Sequence, residues 1–334
     1  MKNISIDWLQ LSCSGNYLKS KKYKYKLLDY GTRVFKYVEE IYIKKEIICS
    51  IAYCPLSSIL KNDLKVIKFE NRVLYRHDLF VLVDNIIKDH GLKLNAITRL
   101  DLAVDFNNFT NNLKPENLIS KFVNNEYLRV NKGKYKIIGE QLKFQKFEYL
   151  RFGTNSSDIA VYLYNKSVEM QQRKFKQHIY DKWLAQELDV KEDVWRLEIS
   201  IKGNDLNLLE KDTGLIIKYE YELLKDYMFI ENLFRSLLYR FFRFKINDGT
   251  SNKSRMKDVV LFDKNSTVLD CKFLTETKDY NRMNKIFIKM MENFNCEVRE
   301  RKSALADLID KELLIYSSKR RLMGFYMNKV KNNY

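Results

Sequence analysis

Three segments far apart in the chain alternate apolar and polar side chains, and in each the polar side carries charge or phenol. They run Thr98 to Phe106, Ile159 to Lys166 and Trp195 to Lys202. Successive side chains of a β-strand point to opposite faces, so each run predicts a strand with one face in a core. In the first, Leu100, Leu102, Val104 and Phe106 share one face, and Arg99, Asp101 and Asp105 share the other, with small Ala103 between the carboxylates. In the second, Ile159, Val161 and Leu163 face inward and Tyr162, Tyr164 and Lys166 outward. In the third, Trp195, Leu197, Ile199 and Ile201 oppose Arg196, Glu198 and Lys202. Paired in one sheet, the three would gather carboxylates, tyrosines and cations on one open face. The plainer reading is a solvated face, which any antiparallel sheet covered on one side presents. Asp, Tyr, Lys and Glu in place of a Thr/Ser/Gln mix weigh against that reading without removing it.

The remaining pattern predicts an α+β chain built on an antiparallel sheet with helices packed on one face. Ile4 to Ser12 alternates as a first strand; Ile41 to Ile51 reads as another, although Glu39 and Glu40 also suit a helix start. Leu79, Leu82, Val83, Ile86 and Ile87 have helical spacing within Arg76 to Gly91, and Gly91 is a C-terminal stop. Pro115 opens a helix through about Asn124. Gly133 to Phe152 is strand-like and basic, and Gly153 to Asp158 is a turn. Ser167 to Leu188 reads as a helix. Beyond Gly203 the texture becomes helical, over Leu206 to Arg243, Tyr280 to Asn293 and Lys302 to Leu314, with a polar loop at Asp248 to Arg255 and a basic tail at Lys319 to Arg321, Lys329 and Lys331. The expected division is a first part over 1–205, which holds the three charged runs, and a mostly helical part over 206–334.

Composition narrows the chemistry. The 334 residues carry a net charge of +17 with 46% hydrophobic and 31% charged residues. That is a globular composition whose basic balance points to nucleic acid, or else to a lysine-rich compositional bias. Lys19 to Lys26 interleaves lysines with tyrosines, which suits phosphate contact with base stacking as well as a solvated loop. With no apolar run of membrane-spanning length and no signal-peptide pattern at the start, no membrane is expected and a cytoplasmic location is. The 5 cysteines form no CxxC pair and the 3 histidines no HxH or HExxH, so a metal here would rest on carboxylate oxygen, as Mg²⁺ or Mn²⁺ does. The phosphate-cradling GxxxxGK[ST] and the dinucleotide GxGxxG are both missing. Carboxylates, a tyrosine and cations are the parts of a metal-dependent phosphodiester-breaking site with a tyrosine nucleophile.

Read together, several motifs resemble the replication initiation factor family, the initiators of small rolling-circle plasmids and related relaxase-like proteins of phages and conjugative elements. They are Asp7-Trp8-Leu9, Arg99 to Asp105, the Gly153-Thr154 turn followed by Tyr162-Leu163-Tyr164-Asn165-Lys166 with Glu169, and Trp195 to Ile199; the resemblance covers roughly residues 5–205. It implies a relaxase-like fold lacking the histidine pair, and site- and strand-specific DNA nicking and rejoining. A tyrosine would keep the 5′ end as a phosphotyrosine while the free 3′-OH primes a host polymerase. The tyrosine before the Asn-Lys pair, Tyr164, would be the nucleophile, with Tyr162 the alternative on the same face. Asp101, Asp105 and Glu198 would be metal ligands, unless Arg99 or Arg196 binds them instead. Lys166 or Arg196 would neutralise transition-state charge. Lys21, Lys22, Lys24, Arg99, Lys134, Lys136 and Arg151 are the expected DNA contacts. Expected partners are origin DNA, single-stranded or melted, a second copy of the chain as homodimer, and a host helicase or polymerase. A mobilisation relaxase of a conjugative element and a non-catalytic DNA-binding protein are the other readings.

Overall fold

The computed structural model describes residues 4–131, 133–141, 145–154, 156–202, 208–210, 219–250, 252–262, 271–273, 314–316 and 322–325. Its strands are β1 (Ser5–Ser14), β2 (Lys24–Leu27), β3 (Phe35–Ile43), β4 (Glu46–Pro55), β5 (Lys65–Phe69), β6 (Lys93–Phe106), β7 (Tyr127–Arg129), β8 (Tyr135–Gln141), β9 (Gln145–Phe152), β10 (Ile159–Asn165) and β11 (Trp195–Lys202). The helices are α1 (Asn71–Leu74), α2 (Leu79–Asp89), α3 (Pro115–Val123), α4 (Lys166–Gln172), α5 (Gln177–Ala185) and α6 (Tyr227–Phe241). All of these strands except β7 form one 10-stranded sheet, in the order β2-β3-β4-β5-β1-β6-β11-β10-β9-β8. Each pairing is antiparallel. The expected α+β class and antiparallel sheet are present. Each central strand, β1 or β6, sends the chain to an outer edge, from which a meander walks back. Strands β2 to β5 thus return beside β1, and β8 to β11 beside β6.

The three alternating runs are neighbours. In β11, Arg196 stands opposite Asp105, Glu198 opposite Ala103 and Ser200 opposite Asp101. In β10, Tyr162 faces Glu198 and Tyr164 faces Arg196. Leu100, Leu102, Val104, Val161, Leu163, Leu197, Ile199 and Ile201 are buried on the other face, as the alternation requires. Their face is closed partly by aromatic rings: Phe122 of α3 packs edge-on against Phe152, and Phe242 after α6 meets both Phe152 and Phe109.

The polar face is partly roofed. The segment expected as one helix from Ser167 is two, because the chain turns at Arg173 before α5 begins. Asn165 ends β10 and caps α4, its side chain accepting from the Val168 amide at 3.1 Å. Lys166 is therefore a first-turn helical residue and not the next outward position of the strand. Met170 of α4 and Ile179 and Trp183 of α5 form a small core with Val194 over one end of the polar face.

Pro115 does open α3, and Gly91, with φ of 63°, follows the stop of α2 at His90. Glu39 and Glu40 lie in β3. The helix expected over Leu206 to Arg243 is present as a 3₁₀ turn, Tyr221–Lys225, and α6, whereas Leu208–Glu210 is a strand. Contacts divide the chain into units Met1–Lys272 and Phe273–Tyr334, so the boundary expected at 205 falls inside the first. In the second, Leu314–Tyr316 pairs antiparallel with Leu322–Phe325. The helices expected over 280–293 and 302–314 lie outside the described residues apart from Leu314, and so does the basic tail. Among the described residues no helix is long and apolar enough to cross a membrane.

Candidate active site

A register shift builds the centre of the polar face. Ile6 of β1 pairs with Leu102 of β6 and Trp8 with Asp101, so Asp7 is an extra residue, a β-bulge. A bulge re-aims a side chain, and Asp7 is turned toward β11. Arg196, wholly buried, donates from Nε to Asp105 Oδ1 at 2.6 Å and from Nη2 to Asp105 Oδ2 at 2.7 Å. Its Nη1 donates to Asp7 Oδ1 at 2.7 Å, and its Nη2 also reaches the Tyr75 hydroxyl at 3.0 Å. Tyr75 in turn donates to Asp7 Oδ1 at 2.7 Å, and Trp183 Nε1 to Asp105 Oδ2 at 2.8 Å. Burial pushes the Asp7 carboxyl up, but Arg196, the Tyr75 hydroxyl and Lys166 outweigh it and hold Asp7 below the usual carboxylate range.

Asp101 is engaged separately. Arg99 donates from Nε to both of its oxygens, at 3.0 and 3.1 Å, and from Nη2 to Oδ2 at 2.5 Å; Ser200 Oγ donates to Oδ1 at 2.6 Å. The alternative in which the arginines take the aspartates is the one the structure adopts. Among the described residues no group of three His, Cys, Asp or Glu is placed to hold a metal ion. Asp101, Asp105 and Glu198 thus share one face of adjacent strands but do not form the expected carboxylate cage. The oxygens of the two aspartates already accept hydrogen bonds from Arg99, Ser200, Arg196 and Trp183, and the set as folded does not fit Mg²⁺ or Mn²⁺. Arg196 likewise does not stand ready to neutralise a phosphate, since its guanidinium is spent on Asp7 and Asp105.

Glu198 is the carboxylate not held by an arginine. Its Oε2 accepts from the Tyr164 hydroxyl at 3.1 Å. Burial, then repulsion from Asp7 and Asp101, push it up from the ordinary 4.5 to about 8. Burial and Glu198 also push the Tyr164 phenol well above 10. Tyr162 is raised by the same two causes, and its ring centre lies 6.0 Å from the Arg151 guanidinium carbon. Lys166 is buried, pairs with Glu169 at 2.7 Å and sits 5.4 Å from the centre of the Tyr164 ring. Arg151 and Lys136 continue the Glu198–Tyr162 row across β9 and β8. Lys134 and Lys136 are exposed. Lys21, Lys22 and Lys24 are exposed at or just before the opposite edge strand, with Lys22 bound to Asp89 at 2.9 Å, so they do not join Tyr164.

A raised carboxyl stabilises the fold only while it keeps its proton. The contribution of Glu198 is therefore complete below about pH 4.5 and is lost as pH rises through about 8. Glu198→Gln is expected to become steadily more stable than the parent between about pH 5 and about pH 9, by on the order of a few kcal/mol at the upper end. Urea midpoints across that range check this; a constant difference would place an ordinary carboxyl at Glu198.

Asp7 was part of the Asp7-Trp8-Leu9 motif but was given no role, and Tyr75, Trp183 and Ser200 were given none either. Asp7 had a further signal: the buried positions run Ile4, Ile6 and then Leu9, Leu11, a one-residue slip in phase that marks a bulge. Tyr75 had none, because it follows the four-residue α1 and reaches Asp7 only in the folded chain.

No protein-family model matches the chain, and no curated protein matches it. Among solved structures it is similar to that of a rolling circle replication initiator protein from Geobacillus stearothermophilus. The sequence identity is 18% and the TM-score 0.47, with 77% of this chain and 92% of that chain covered.

Proposed function

We propose that this protein initiates rolling-circle replication by nicking one DNA strand with Tyr164. The observation that carries the reading is the Tyr164 hydroxyl hydrogen-bonded to Glu198, which no arginine holds, whereas Asp7, Asp101 and Asp105 are each bound to one. In the reaction, Tyr164 Oη forms a bond to phosphorus as the bond from phosphorus to the 3′-oxygen breaks; the phenolic proton passes to Glu198, and the departing 3′-oxygen takes a proton from water to become the 3′-OH. A phenol held above its usual range is a weak nucleophile, so proton loss and attack proceed together. Lys166 beside the Tyr164 ring favours the negative charge that develops on Oη. Rejoining is the reverse attack by the 3′-OH and consumes no nucleotide. The net charge of +17 supports DNA as the partner. The same chemistry serves a mobilisation relaxase of a conjugative element.

A non-catalytic DNA-binding role is the second reading, favoured by the arginine locks on Asp7, Asp101 and Asp105. Incubating the protein with a randomised single-stranded oligonucleotide pool separates the two. The nicking reading expects a covalent adduct on a denaturing gel, carried by a phosphotyrosine; binding without an adduct leaves the second. An adduct formed in EDTA assigns charge neutralisation to protein groups, whereas one that requires Mn²⁺ means that a carboxylate exchanges its arginine for the ion. Affinity should also fall steeply with salt, by on the order of 10³ between about 50 and 200 mM if about six phosphates are neutralised. A flat dependence measured by fluorescence anisotropy would identify the basic balance as compositional bias.

A further inference from the structure

One transverse row of the polar face crosses the other half of the sheet and ends on β11 at Lys202, six residues along that strand from Arg196, which faces Tyr164. Reading the register from β2 to β11, Lys26 faces Glu40, Glu40 faces Ser50, Ser50 faces Lys68, Lys68 faces Gln10, Gln10 faces Arg99 and Arg99 faces Lys202. Directly opposed residues of an antiparallel sheet lie on the same side, so this is a continuous surface. It runs beside the Asp101–Ser200 row and the Glu198 row, and at about 4.8 Å per strand it spans about 29 Å. Its members are exposed or half-buried. The acidic member, Glu40, is engaged by the Tyr42 hydroxyl.

The middle of the row is organised by an indole. The Arg99 guanidinium carbon lies 3.8 Å from the centre of the Trp8 ring, and Lys68 Nζ lies 4.3 Å from it. Arg99 is also bound to Asp101. Lys68 has no carboxylate partner among the described residues. Its charge is held in place by the ring alone and is available to an anion. Cations spaced along a strand-crossing track, with an aromatic ring among them, match the backbone and bases of a single nucleic-acid strand. A duplex is read by an element that enters a groove, and a row within a sheet face supplies none. We infer that the row Lys26–Lys68–Arg99–Lys202, centred on Trp8, holds the single-stranded DNA that flanks the scissile phosphate. This deepens the nicking reading and rests on it.

The test uses the full chain and oligo-dT of about twenty nucleotides. Of the 3 tryptophans, Trp183 and Trp195 are buried and Trp8 is half-buried. DNA on the row must disturb the cations against Trp8, so saturation should change tryptophan emission, and Trp8→Phe should lose that change. Lys68→Glu is expected to weaken binding about tenfold or more, and Lys68→Gln to lower the salt slope by about 0.7 for one lost phosphate contact. Lys88→Glu, at an exposed position on α2, should leave both unchanged. The inference is overturned if Lys68→Gln and Lys26→Gln both keep parental affinity and slope, if emission does not respond, or if a duplex of equal length binds as tightly with the same emission change. Failure of the nicking reading shows instead as Tyr164-independent behaviour of the oligonucleotide pool, while dT binding still depends on Lys68.

Discussion

Tyr164→Phe abolishes the covalent protein–DNA adduct and lowers nicking by at least about 10³-fold, if Tyr164 is the nucleophile. The change removes one oxygen. The backbone pairings of Tyr164 with Arg196 and Tyr149 do not involve it, so the strand keeps its register. The lost contact is the 3.1 Å bond to Glu198, and binding of DNA should survive. Tyr162→Phe should retain substantial activity, because the hydrogen bond to the Glu198 carboxylate comes from Tyr164, although Tyr162 is the residue opposite Glu198. The rate in the parent should rise with pH through about 8, since Glu198 accepts a proton only after losing its own. Glu198→Gln should remove that rising limb. A Tyr164→Phe adduct on a denaturing gel, absent in Tyr162→Phe, would move the nucleophile two residues along the same face; normal nicking by both variants would replace the tyrosine with an activated water.

Arg196→Met should cost about 3–5 kcal/mol of stability, because it leaves the Asp7 and Asp105 carboxylates buried without their shared cation. Their remaining hydrogen-bond partners are neutral and do not replace it: Tyr75 gives Asp7 a hydroxyl and Asn71 an amide N–H, and Trp183 gives Asp105 one indole N–H. Arg196→Lys should recover little, since a single ammonium cannot reproduce a planar fork that donates to two oxygens of Asp105 and one of Asp7. Urea denaturation monitored by far-UV circular dichroism reads the loss. A midpoint within experimental error of the parent would show that the cluster is solvated and not a buried ion network.

Much of this architecture could be read before folding. The period-two alternation at Leu100 to Phe106, Ile159 to Leu163 and Trp195 to Ile201 specified both the strands and the buried face, because it is a local property of consecutive side chains. Pro115 at the start of α3 and Gly91 just past the stop of α2 were equally local. The three charged runs also carried the idea of a shared polar face. What they did not carry was the pairing across it. Arg196 meets Asp105 because β11 enters the sheet antiparallel to β6 in one particular register, with ninety residues of chain between them. Asp101 could equally have faced a cation in solution or an arginine on its own strand; only the close approach of Arg99, held against the Trp8 ring, decided it.

The same distinction accounts for Lys166. Its sequence neighbours continue the strand pattern, but the Asn165 side chain caps α4 and takes Lys166 out of the outward-facing series. The sequence by itself determined which residues lie on the polar face of β6, β10 and β11, since backbone geometry sets that residue by residue. The tertiary structure alone decided which charges are spent on one another and which remain for chemistry. Buried charges must find partners, and those partners are chosen by strand order, by the bulge at Asp7 and by the roof of α4 and α5, none of which is a property of a short stretch of chain.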